Sequence, residues 1–152
     1  MVEEGKQAPD FELASDTGER VRLSHLKGRT IVLYFYPRDD TPGCTKQACS
    51  LRDAYGEIQE RGATVLGVSP DTEASHVKFR EKYGLPFTLL SDEDHAVSER
   101  YGVWVERTNY GRTYMGIKRS TFVIDEDGTV RSAMYGVKPD THAERVLQAL
   151  AD

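Results

Sequence analysis

Apolar and polar positions along this chain follow two periods, and a set of elements can be read from them. Asp10 to Leu13 and Glu19 to Leu23 are short alternating stretches around Ser15-Asp16-Thr17-Gly18, which predicts a β-hairpin. Thr30 to Tyr36 is a continuous apolar run of strand length, as in a central strand covered on both faces, and it stops at Pro37. Cys44, Ala48, Leu51, Tyr55 and Ile58 then recur at helical spacing. They predict a helix from about Thr41 to Arg61, ended by Gly62, with that stripe turned inward. Ala63 to Val68 is another apolar strand, and a helical pattern through Val77, Phe79 and Tyr83 closes at Gly84.

The second half continues the alternation less regularly. Pro86 precedes a short strand, Phe87 to Leu90, and Ser91 and Asp92 offer caps for a helix through Val97 to Tyr101 that stops at Gly102. Val103 to Tyr114 is polar and contains glycine, so it reads as a loop or ragged strand, with Trp104 inside it as a packing residue. Arg119 to Asp125 and Thr129 to Tyr135 flank Glu126-Asp127-Gly128, a hairpin signal. Pro139 opens a last helix whose inward face is Val146, Leu147 and Leu150.

Strands that alternate with helices imply parallel pairing through right-handed crossovers, hence an α/β fold with a central β-sheet flanked by helices. Periodicity alone leaves a thioredoxin-like and a flavodoxin-like strand order equally open. At 152 residues and 38% hydrophobic content the chain fits one well-buried core, so residues 1–152 are expected to form a single domain. The net charge of −5, with both signs interspersed, offers no basic face for nucleic acid or anionic lipid. No run reaches membrane-span length, and MVEEGKQAPDF lacks a basic start and an apolar segment, so a cytoplasmic location is expected.

The candidate chemistry lies in FYPRDDTPGCTKQACS, Phe35 to Ser50, which holds both cysteines. Thr41 suits an N-cap and Pro42 the first helical position, which puts Cys44 at the third helical residue. There the free N–H groups and the helix dipole favour an anion. A free thiol with a pKa of about 8.5 is only about 3% thiolate at pH 7, whereas thiols at helix termini can be mostly ionised, and the thiolate is the nucleophile. Cys49 follows five residues on, a Cα separation of about 9 Å in an intact helix, against the roughly 4.4–6.8 Å that a disulfide requires. A Cys44 to Cys49 bridge therefore needs the first turns to unwind. The residues taken alone also allow two ordinary buried cysteines. A zinc site would need further ligands, and His25, His76, His95 and His142 are scattered without ligand spacing.

The stretch YPRDDTPGCTKQAC resembles the peroxiredoxin signature PxxxTxxC, with Pro37, Thr41 and Cys44 at the matching positions. A second cysteine five residues later resembles the bacterioferritin comigratory protein or peroxiredoxin Q subgroup. GKQAPDFEL and YGVWVERTNYGRTYMGIKRSTFVIDEDG are similar to that family as well, so the likeness spans nearly the whole chain. The resemblance implies a thioredoxin-like fold, with a central mixed β-sheet flanked by helices and an N-terminal β-hairpin extension. It also implies a peroxidase without metal, haem or flavin, in which Cys44 attacks hydroperoxide and Cys49 resolves the product as an intrachain disulfide. Arg119, in GIKRSTFVID, matches the family's catalytic arginine, whereas Arg112 and Lys118 are equal candidates on sequence grounds; Arg38 reads as structural. Thr41 and Pro37 would orient the peroxide and exclude water. Thioredoxin or a similar dithiol would reset the enzyme, for which a monomer suffices. A disulfide reductase would carry a CxxC, which is absent, while a redox sensor built from the same residues stays open.

Overall fold

The computed structural model describes residues 2–151. Among the described residues, nine strands and five α-helices run in the order β1 Glu12–Ser15, β2 Arg20–Arg22, β3 Thr30–Phe35, α1 Pro42–Asp53, α2 Tyr55–Glu60, β4 Ala63–Ser69, α3 Glu73–Tyr83, β5 Thr88–Ser91, α4 Ala96–Arg100, β6 Trp104–Asn109, β7 Arg112–Ile117, β8 Ser120–Ile124, β9 Val130–Tyr135 and α5 His142–Ala151. Seven strands form one sheet in the order β2-β1-β5-β4-β3-β8-β9. The three central strands, β5, β4 and β3, are parallel, as the crossovers predict. β8 runs antiparallel to β3, pairing Leu33 with Phe122, and β9 runs antiparallel to β8. That reversal decides between the two strand orders left open above: the sheet is mixed and thioredoxin-like, with β1 and β2 as the expected hairpin at its edge.

β3 is buried at every position because each face of the sheet carries its own core. Val32 and Tyr34 face Leu51, Ile58, Phe79 and Val146, under α1, α2, α3 and α5. Ile31, Leu33 and Phe35 face Leu13, Val97, Tyr101 and Phe122 on the other side. Alternation along a strand sends neighbouring residues to opposite faces, so one apolar run supplies both layers.

Two expectations are corrected and a third is sharpened. The helix expected through Arg61 breaks at Ala54, whose φ of −93° and ψ of 0° end α1 before α2 begins. Gly56, a weak helix former, lies just beyond, and the buried stripe continues across the break, which is why periodicity ran through it. Of the loop or ragged strand expected over Val103 to Tyr114 the structure takes the strand, and a regular one: β6 and β7 form a separate hairpin around Tyr110-Gly111, both at positive φ (51° and 75°), as a two-residue primed turn requires. Tyrosine at the first turn position hid the signal. The last helix starts at His142 rather than at Pro139, because Thr141 N–H closes a turn on the Lys138 carbonyl first. Trp104 is half-buried and stacks on His95 at 3.8 Å between ring centroids.

Candidate active site

β3 delivers the chain to Tyr36, and Pro37 to Thr41 lead into α1. This connection is tied down from beneath. Asp39 is buried and accepts from Tyr36 Oη at 2.6 Å, Ser75 Oγ at 2.7 Å and His76 Nδ1 at 2.7 Å, while its own N–H donates to Asp71 at 2.8 Å. His76 Nε2 faces the Leu90 carbonyl at 2.9 Å, and a carbonyl can only accept. Nε2 therefore donates, and with Nδ1 on the Asp39 carboxyl the site favours the charged form of His76, paired with Asp39. Burial opposes that charge; the Asp39 hydrogen bond and charge, with the Leu90 carbonyl, outweigh it and raise the pKa of His76. Asp40, at φ +55°, adds contacts from Lys82 and Tyr83 at 2.7 Å each.

Cys44 is the third residue of α1 and is 2% exposed; Cys49 is half-buried on the same unbroken helix, and both thiols are free. Thr41 holds the N-cap position in extended conformation, but its hydroxyl does not cap the helix. It donates to the Arg38 carbonyl at 2.9 Å, closing a turn within the connection. Arg38 and Pro37 are exposed.

Of the three cationic candidates, the structure brings Arg119 to the thiol. It stands just before β8, and its Nη2 donates to Cys44 Sγ at 3.4 Å, while Nη1 donates a short hydrogen bond to Gln47 Oε1. Arg112 is exposed beside the tip of the β6–β7 hairpin, and Lys118 is exposed. Gly43 makes the approach possible, since a Cβ there would stand 3.1 Å from Arg119 Nη2.

Sequence reasoning missed Gln47, Gly43 and His142. Gln47 lies three residues after Cys44, on the same helix face, which was the available signal. Gln47 Nε2 reaches His142 Nδ1 at 3.0 Å, and His142 Nε2 reaches Thr121 Oγ1 at 2.6 Å; all three side chains are fully buried. Burial, with Arg119 and Arg145 nearby, pushes the pKa of His142 down to about 3, so the ring is neutral. Tyr34 beneath it is pushed well above the usual phenol range by burial and then by Cys44, so it stays protonated.

A cysteine at the start of a helix, beside an arginine and on a thioredoxin-like sheet, is an arrangement for thiol redox chemistry. The AhpC/TSA family model matches residues 4–133, and the chain belongs to that family. Peroxiredoxin Bcp of Bacillus subtilis is 49% identical over 99% of this chain and 96% of its own length, and peroxiredoxin Bcp of Escherichia coli is 45% identical over 97% and 95%. Xanthomonas campestris peroxiredoxin Q superposes with a TM-score of 0.88 at 39% identity, covering 93% of this chain and 89% of that one. A cysteine-to-serine mutant of Xylella fastidiosa PrxQ reaches a TM-score of 0.93 at 34% identity over 99% and 96%. Xanthomonas campestris bacterioferritin comigratory protein, 38% identical over 93% and 90%, is described as having alkyl peroxide reduction activity. The protein is accordingly a peroxiredoxin enzyme, similar to the Bcp and peroxiredoxin Q proteins; no helix among the described residues is long and apolar enough to cross a membrane.

Proposed function

We propose that this enzyme reduces hydrogen peroxide and organic hydroperoxides through Cys44, with Cys49 as the resolving residue and thioredoxin or a similar dithiol as reductant. The observation that carries the reading is the Arg119 Nη2 donor 3.4 Å from Cys44 Sγ at the first turn of α1. The Cys44 thiolate attacks the terminal peroxide oxygen and the O–O bond breaks. Its electron pair leaves on the alkoxide or hydroxide, which takes up from solvent the proton that the thiol released on ionising to give alcohol or water, while the transferred oxygen keeps its hydrogen and Cys44 becomes a sulfenic acid. Arg119 and the Cys44 N–H stabilise the charge developing on oxygen. The Thr41 hydroxyl, whose proton goes to Arg38, has lone pairs to accept from the peroxide O–H, and Pro37 limits water at the strand end.

Cys49 then attacks the sulfenic sulfur, releasing water and forming the Cys44–Cys49 disulfide once the first turns of α1 unwind. The dithiol reduces this bond and is itself oxidised. Nothing in the cycle calls for a metal or organic cofactor, a monomer in the cytoplasm suffices for it, and residues 1–152 act as one catalytic unit.

The decisive measurement is a thiol count on reduced protein before and after one equivalent of hydrogen peroxide, with intact mass under non-reducing conditions. Loss of both thiols with a mass decrease of about 2 Da and no dimer is expected. Thiols that stay free over minutes would overturn the reading. Cys49→Ser is expected to keep the oxidation of Cys44 while losing dithiol-dependent turnover and gaining sensitivity to sulfinic acid formation.

A further inference from the structure

Four side chains behind the thiol form one directed chain of hydrogen bonds, and the chemistry of its first member fixes every other. A guanidinium only donates, so the Gln47 atom facing Arg119 is the carbonyl oxygen. The Gln47 amide nitrogen, which only donates, must then face His142 Nδ1, making that nitrogen an acceptor. The single ring proton therefore sits on Nε2 and points to Thr121 Oγ1. The path leaves the strand end at Arg119, crosses α1 at Gln47 and α5 at His142, and returns to β8 at Thr121.

We propose that His142, as a neutral ring protonated at Nε2, is a positioning residue for peroxide reduction: it fixes the Gln47 amide so that its oxygen holds the Arg119 guanidinium against Cys44. The other tautomer, or the imidazolium, would present a donor to the Gln47 amide nitrogen. The amide would then turn over and aim its NH₂ at Arg119, setting donor against donor where the Gln47 side is fully buried and the Arg119 side part-buried. His142 touches neither thiol nor substrate; it acts through Gln47. The low pKa of the ring keeps it in the required state throughout the neutral range. This inference rests on the peroxidase reading above.

The test compares two rate constants at one pH for wild type, His142→Leu, His142→Asn and Gln47→Leu. One is the oxidation of Cys44 by hydrogen peroxide in a single turnover. The other is its alkylation by iodoacetamide, followed at Cys44 by peptide mass spectrometry; this reaction needs a thiolate but no oriented peroxide. His142→Leu, which offers no acceptor, is expected to slow oxidation about tenfold or more while alkylation changes by less than about threefold. His142→Asn, whose side-chain oxygen can accept from Gln47, recovers most of that loss. His142→Leu combined with Gln47→Leu is no slower than Gln47→Leu alone, as residues acting in series require. Should His142→Leu fail to fold, Thr121→Val carries the test, with oxidation slowed about threefold and alkylation unchanged.

Oxidation at the wild-type rate in His142→Leu or Thr121→Val, equal losses in both reactions, or additive effects of the two leucine variants would each overturn the positioning role. A wild-type protein that one equivalent of peroxide leaves unoxidised would instead overturn the peroxidase reading beneath it.

Discussion

Gly43 shows how little room the thiol's surroundings leave. A methyl group there would meet Arg119 Nη2 at 3.1 Å and Pro139 Cγ at 3.7 Å, so Gly43→Ala must displace the guanidinium by a few tenths of an ångström. The expected result is a severalfold slower oxidation of Cys44 with an unchanged unfolding midpoint, read by stopped flow and by urea denaturation. Arg119→Lys should cost more, about tenfold to a hundredfold in the same rate, because one ammonium cannot hold Cys44 and Gln47 together as a planar fork does. The placement of Cys44 and Cys49 on one helix was legible from their spacing, and the approach of Arg119 to the thiol from the resemblance that set it apart from Arg112 and Lys118. Gly43, Gln47 and His142 were not, since their parts depend on which face of α1 meets β8 and α5, a matter of tertiary packing. Thr41 was legible as the helix boundary but not in its hydrogen bond, because a hydroxyl can serve the connection before it as readily as the helix after it.

At the scale of elements, β4 and the connection before α1 set the geometry. Gly67 faces Tyr34 across the β3–β4 pair, and a Cβ there would stand 2.9 Å from Leu89 Cδ2 and 3.0 Å from the Tyr34 ring. Gly67→Ala is therefore expected to destabilise the protein by about 1–3 kcal/mol, measured as a lower urea midpoint at constant slope. Asp39→Ala strands the buried His76 cation and should cost about 3–5 kcal/mol; a loss below about 1 kcal/mol would show that His76 needs no partner. Strand identities were legible from apolar runs and turn residues. The Ala54 break and the Tyr110-Gly111 hairpin were not: a continuous buried stripe masks the first, and an aromatic residue at a left-handed position masks the second.

For the molecule as a whole, two buried histidines give stability opposite dependences on pH. The folded pKa of His142 lies at about 3, below the ordinary value of 6.5, so the unfolded chain binds the extra proton; its contribution is complete above pH 6.5 and is lost as pH falls toward 3. His76 is raised above 6.5, so its contribution is complete below that value and is lost as pH climbs through the folded pKa. Thermal unfolding across pH should show the wild-type acid limb softened in His142→Asn and the loss on raising the pH reduced in His76→Gln. The Ala54 break bears on recovery after oxidation. Were the first turns of α1 to open as proposed above, the freed segment would stay held at one end by β3 and at the other by α2, whose Tyr55 and Ile58 lie in the core. Restoring the thiol after reduction would then take only a local closure between two fixed ends, and no refolding of the sheet beneath.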